Sequence, residues 1–385
     1  MTPHFTSARP EDINELLTLY RQVYGGSYAL PLGTDPAVMA REISCAETTW
    51  LTAREPGSAR IVGSIIGTVD RHQRLGKLQG LAIHPDARGT GLARQAVHQL
   101  SELLLGKEGA ADSIYGTART TSTAPQRICL SAGFRALGIF PNLHKAERHE
   151  TMVLLAKHRP GVLERRLPVP AIPAELEPLV NALHNSVGLP EQKLPPVTEP
   201  PPPSPTDRTH RRPRDMELVD APHFALRRFT ETIPDPCQRF YPFHTPNVLL
   251  SAVDGTLEVY AQLNRSDGYC ALIAATEPQL TDLAEDFESV ITTLAAHGAS
   301  HLEALLPLDR YQDLRLLLAR GFLPAAAYPA MRRQGEGWRD YVVMARSLQP
   351  LDFRGLSIDA AFQPFTEQYI ELWKQHYLNT QEVFH

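Results

Sequence analysis

Few cysteines, no long apolar run and little excess charge bound what this 385-residue chain can be. Its four cysteines, Cys45, Cys129, Cys237 and Cys270, have neither CxxC spacing nor the density of a disulfide scaffold. That leaves reduced thiols and speaks against a stapled secreted module or a structural zinc, so no metal is expected. No stretch approaches the roughly 20 apolar residues of a membrane span. The opening MTPHFTSARPEDINELL has acids and no signal-peptide core, so no membrane partner and a cytoplasmic address are expected. A net charge of -5 supplies no positive field, and no nucleic-acid partner is expected. With 43% hydrophobic and 21% charged residues the chain reads as globular, and its length favours two domains over one.

What is abundant is proline, and it marks a boundary. From Leu189 to Arg214 the sequence reads LPEQKLPPVTEPPPPSPTDRTHRRPR, which continues neither a helix nor a sheet. The reading is a stiff linker that holds its flanks apart or guides them along a surface. Before it, Ala174 to Val187 has apolar residues at helical spacing, which predicts one helix on the first unit.

The flanks resemble each other. Gly133-Phe134 with Phe140-Pro141 recurs as Gly321-Phe322 with Tyr328-Pro329, at positions 188 apart. The apolar runs Glu150–Ala156 and Asp340–Ala345 follow in the same order. Pro3-His4-Phe5 and Pro222-His223-Phe224 each open a half, and each is expected to lead into a first strand. Three such coincidences in order point to an internal duplication.

Chemistry concentrates between Leu78 and Leu105. LQGLAIHPDARGTGLARQAVHQLSELLL reads as an apolar strand, a glycine turn and an amphipathic helix with Leu92, Ala96, Leu100 and Leu103 on one face. Gly89 and Gly91 let the backbone approach a ligand, the helix N-terminus adds partial positive charge, and Arg88 adds a full one. Such a place holds a pyrophosphate without a metal. A dinucleotide site would need GxGxxG with a downstream acid on a second strand, and this sequence lacks it.

The run RGTGLA, Arg88 to Ala93, resembles the acyl-CoA pyrophosphate signature Q/R-x-x-G-x-G/A of the GNAT N-acetyltransferases. The context agrees: a strand before, a helix after, a second strand at Ser113 to Ala118, and an Ala132-Gly133-Phe134 turn closing a later helix. The resemblance implies an α/β (α+β) fold, a mixed and mainly antiparallel sheet flanked by helices, with acetyl-CoA as cosubstrate. It implies that the backbone of Leu81, Ala82 and Ile83 pairs with the pantetheine arm. Arg88, Gly89, Thr90, Gly91, Leu92, Ala93 and Arg94 would cradle the pyrophosphate.

Two family features are absent. Many relatives place a glutamate on the strand before the signature and a tyrosine four residues before the final Gly-Phe; here the strand has no acid and Cys129 fills the tyrosine slot. Cys129 is then a small core residue, a partner of the leaving thiolate, or a covalent acyl carrier. Tyr115, Arg119, His84 and Glu150 are further cleft candidates, Tyr115 with Cys129 being the catalytic pair. The glycine- and tyrosine-rich segment Tyr24 to Pro36 suits a loop over an acceptor, with Tyr24, Tyr28 and Arg119 as substrate-binding residues, and Phe140 to Glu150 forms the opposite wall.

In the second half, Gly268 to Glu277 and Pro278 to Leu294 give strand, turn and helix without the glycines or arginine; helix alignment puts Asp282 near the place of Gly91 and Gln279 near that of Arg88. An acid there opposes a diphosphate. The tail from Leu351 is expected to add a strand and a helix with Phe365, Tyr369 and Trp373 on one face. The division expected is a GNAT unit at 1–158, a helical extension at 159–188, the linker at 189–214 and a degenerate GNAT-like unit with its C-terminal helix at 215–385. The expected activity is transfer of an acetyl or other acyl group to a primary amine of a small polar molecule. A protein or peptide N-acetyltransferase and a non-catalytic acyl-CoA sensor or scaffold are the alternatives. The sequence leaves the oligomeric state open.

Overall fold

Two seven-stranded arrays meet edge to edge in the computed structural model, which describes residues 4–25, 31–106, 109–145, 149–189, 212–235, 244–277 and 279–378. The first array comprises β1 (Phe5–Ser7), α1 (Ile13–Tyr24), α2 (Pro36–Ser44), β2 (Thr48–Arg54), β3 (Ile61–Asp70), β4 (Leu75–Ile83), α3 (Leu92–Leu105), β5 (Ser113–Arg119), α4 (Ala124–Ser131), β6 (Arg135–Lys145) and β7 (His149–His158). After α5 (Glu177–Val187) come β8 (Met216–Val219), α6 (Pro222–Thr232), β9 (Val248–Ala252), β10 (Glu258–Asn264), β11 (Tyr269–Ala275), α7 (Phe287–Ala296), β12 (His301–Pro307), α8 (Tyr311–Ala319), β13 (Leu323–Gln334), β14 (Gly337–Ser347) and α9 (Gln363–Tyr377).

Local signals set the helix ends. Asp35 accepts the Ala37 N–H at 2.8 Å and Pro36 opens α2, while Gly25, at φ 61, stops α1. Along α3, Leu92, Ala96, Val97, Leu100 and Leu104 are buried against the sheet. Leu103, expected on that face, is 52% exposed, because the buried stripe drifts to Leu104 in the last turn. Among the described residues no helix is long and apolar enough to cross a membrane.

The strand order is β1-β2-β3-β4-β5-β7-β6-β13-β14-β12-β11-β10-β9-β8, so the second array repeats the first when counted from its own end. Every pairing is antiparallel except β4 with β5 and β11 with β12. Bulges fall between Ala136 and Gly138 and between Phe140 and His144 in β6, and at Pro324–Ala326 and Tyr328–Arg332 in β13, again 188 positions apart. Asn142 and Ala330, also 188 apart, both have positive φ, 55 and 50. At the seam Gly138 pairs with Ala326, its own counterpart, as a two-fold relation between the arrays requires.

Several expectations need correction. The flanks of the proline-rich segment are not held apart but share one sheet, because β6 and β13 satisfy each other's edges. Residues 190–211 of that segment lie outside the described residues. The predicted helix before it begins at Glu177, after a 3-10 turn, and packs on β6, β13 and α9, so it touches both arrays. Pro222-His223-Phe224 opens α6 and not a strand, since Pro222 suits a first helical position; β8 precedes it. The tail contributes α9, with Phe365 and Tyr369 buried and Trp373 partly so, against β13, β6 and α5, and no strand among its described residues.

Candidate functional site

In the first array β4 and β5 run in parallel register from Leu75↔Ser113 only to Lys77↔Tyr115, although β4 continues to Ile83 and β5 to Arg119. The strands therefore part after Lys77 and leave a gap. The His84 N–H reaches back to the Val62 carbonyl on β3 at 2.9 Å. Peptide groups alternate along a strand, so those of Leu81 and Ile83 face away from β3 into the gap. The register between β3 and β4 slips between Ser64 and Ile66, where Gly80 at φ 64 provides the extra residue.

The gap opens onto the start of α3. Gly89 and Gly91 have φ 77 and 83, and a Cβ on either would meet nothing within 4 Å. Arg88, Thr90 and Arg94 are exposed around them, and Leu92 is buried and anchors the helix below. No side chain caps α3, so its first N–H groups are available to an anion. Beyond the loop, Thr90, Gly91, Arg94, His98 and Ala132 line a groove of about 740 Å³. The sequence-predicted strand, loop and helix start are thus contiguous in space.

The sequence model of the Acetyltransferase (GNAT) family matches residues 13–134. Residues 13–134 are a GNAT acetyltransferase domain. No curated protein matches the chain. Solved structures similar to it include the ribosomal-protein-S18-alanine N-acetyltransferase of Escherichia coli, at 15% identity over 41% of this chain and 94% of that one, TM-score 0.35. A GNAT-family acetyltransferase of Streptococcus pneumoniae is 19% identical over 41% and 99%, TM-score 0.35. A spermidine N-acetyltransferase of Vibrio cholerae is 11% identical over 40% and 94%, TM-score 0.36.

Around the GNAT gap the proposed acceptor residues converge in part. The Tyr24 hydroxyl donates to the Leu81 carbonyl at 2.9 Å, and burial raises its pKa against the pull of Arg119 and Arg88. Arg119, at the end of β5, holds Glu150 of β7 through two hydrogen bonds of 2.9 and 2.6 Å, which raise the guanidinium pKa. Tyr28 lies outside the described residues. His84 serves the strand end: its Nδ1 accepts the Asp86 N–H at 3.2 Å, and Arg60 lies 2.7 Å from its Nε2.

The candidate catalytic pair is separated by environment. Cys129 sits in α4 within the main core, where burial pushes its thiol up to about 12. That opposes the thiolate a covalent carrier needs. Tyr115 lies edge-on to Tyr328 of the second array, ring centroids 6.1 Å apart, and burial raises its pKa. Beside it the Tyr328 hydroxyl donates to Ser113 Oγ at 2.9 Å, so Tyr115 belongs to the seam as well as to the gap.

Sequence reasoning passed over Lys77. It is the last β4 residue in register with β5, it pairs with Thr68 on β3, and burial lowers its pKa. The signal available was a lysine inside an otherwise apolar strand.

The second array differs between β11 and α7. A 3-10 turn, Leu280–Leu283, offers the Thr281 N–H to Asp313 of α8 at 3.1 Å. The N-cap of α7 is Asp286, fully buried and bonded to Arg214 at 2.7 to 3.1 Å. Asp282 lies in that 3-10 turn, and α7 starts later than the apolar spacing suggested. Among the described residues no group of three or more His, Cys, Asp or Glu is placed to hold a metal ion.

Proposed function

We propose that the chain transfers an acetyl or other short acyl group from acyl-CoA to a primary amine of a small polar molecule. The observation that carries this reading is the gap between β4 and β5 ending at an uncapped, glycine-lined helix start. Pantetheine pairs with the peptide groups of Leu81 to Ile83, and Arg88 to Arg94 receive the pyrophosphate. Tyr24 and Arg119 meet the acceptor, with Tyr28 on the loop above. The polar Arg119–Glu150 wall favours an amino acid or amino sugar. In this reading 1–158 form the transferase unit, 159–188 a helical extension, 189–214 the linker and 215–385 a degenerate copy that no longer binds CoA.

Titration calorimetry with acetyl-CoA on the parent and on Gly91→Asp tests it. Asp tolerates the positive φ of Gly91 better than most residues, and its Cβ meets no neighbour, so folding survives while a negative charge enters the phosphate site. One site per chain in the parent, weakened at least tenfold in the variant (about 1.4 kcal/mol), is expected. Equal binding by both proteins removes the assignment.

A further inference from the structure

In the GNAT domain a buried hydroxyl with nothing to bond stands beside a half-buried lysine. Thr68 and Lys77 are directly paired between β3 and β4, so their side chains stand on the same face about 5 Å apart at Cβ. The Thr68 hydroxyl is buried without a hydrogen-bond partner. Lys77 has no hydrogen bond or ion pair among the described residues, and no carboxylate offsets its burial. Leaving the Thr68 hydroxyl unsatisfied costs stability unless a ligand meets it, and the Lys77 amine beside it lacks a counter-charge.

Their place is the apex of the gap. The register Lys77↔Tyr115 is the last before β4 and β5 part. The phosphate loop follows the C-terminal end of β4, so an arm lying on Leu81 to Ile83 points its thioester back toward that apex. The groups facing Lys77 are Thr68 from β3, Tyr115 from β5 and, from the second array, His244 ahead of β9. His244 lies 3.3 Å from the Tyr269 hydroxyl, which donates to Glu303 at 3.1 Å, and Glu303 in turn is 2.9 Å from His301. The nearest carboxylate in this chain of contacts is thus committed elsewhere, and the second array dries the apex without neutralising the amine.

We infer that Lys77 is the general base for the acceptor amine, with Thr68 orienting that amine and the second array closing the site around them. This rests on the transferase reading above. The neutral Lys77 Nζ takes a proton from the acceptor ammonium; the freed amine attacks the thioester carbonyl carbon and the C–S bond breaks. The second nitrogen proton goes to the departing thiolate, giving amide and CoA thiol, and Lys77 then releases its proton to solvent. Burial, which lowers the Lys77 pKa, makes the neutral form available without a glutamate on this strand.

The test uses the full chain, Lys77→Met, Lys77→Arg and Thr68→Val, with acetyl-CoA and a panel of amino acids and amino sugars. Thiol release is followed against pH, acetyl-CoA binding by calorimetry, and the Lys77 ε-carbon by NMR, assigned by its loss in Lys77→Met. In both Lys77 variants kcat is expected to fall about 100-fold or more while acetyl-CoA affinity holds and the acidic limb of the profile vanishes; Thr68→Val raises KM for the amine. In the parent the ε-carbon titrates below the ordinary lysine range. Turnover in Lys77→Met with an unchanged pH profile, or a Lys77 titrating at the ordinary value, overturns the inference and leaves the transferase reading standing. A parent that releases no thiol with any amine removes that reading, and the base with it.

Discussion

At the scale of single residues, Cys129 sits in surroundings that favour a neutral thiol. A packing role predicts that Cys129→Ala keeps thiol release within about threefold of the parent and loses only about 1 kcal/mol of stability, the worth of one buried methylene-sized group. Urea melts and the thiol-release assay check both numbers, and a 100-fold loss of rate at unchanged stability would show that the sulfur takes part in the reaction. Legibility divides along the same line. The RGTGLA run was readable because the phosphate binding proposed there depends on local backbone: two positive-φ glycines and a helix start. Lys77 was not, because what distinguishes it from a surface lysine is the burial contributed by neighbouring strands and by His244, far away in the chain.

Among the elements, the pairing of β6 with β13 is the joint of the structure, and it depends on one missing side chain. Gly138 has φ 150, and a Cβ there would stand 2.3 Å from the Ala326 Cα, a backbone atom that cannot rotate away. Gly138→Ala is expected to cost roughly 3 kcal/mol or more, at the upper end of overpacking penalties, and to lower the melting temperature. A variant as stable as the parent would mean that the two strands separate at little cost. The repeat of Gly-Phe and of the aromatic-proline pair was visible in the sequence because each marks a turn or bulge that tolerates little variation. The merging of both arrays in one sheet was not visible, since edge pairing uses backbone groups that every residue carries. The α6 misreading has the same origin: a Pro-His-Phe triplet fits a strand entry or a first helical turn equally well.

For the whole molecule, the contacts that tie the arrays together are polar as well as apolar, and one of them is sensitive to acid. His158, at the end of β7, lies 2.8 Å from the Pro329 carbonyl on β13 through its Nε2, which therefore donates. Burial, with Arg166 adding to it, lowers the His158 pKa to about 4, while the bond to Pro329 works in the opposite direction. Above pH ~6.5 the ring is neutral in both folded and unfolded chains and the full stability is present. Below that value the unfolded chain binds a proton that the folded one refuses, so stability falls with pH and the loss levels off only near 4. The loss approaches about 3 kcal/mol across that window. His158→Gln keeps a donor for the Pro329 carbonyl and does not titrate, so urea melts at pH 7.5 and 5 should show a smaller drop for the variant than for the parent. His244, whose pKa burial and Lys77 lower to about 3, leaves a residual slope in both proteins. Identical slopes would place the acid sensitivity elsewhere.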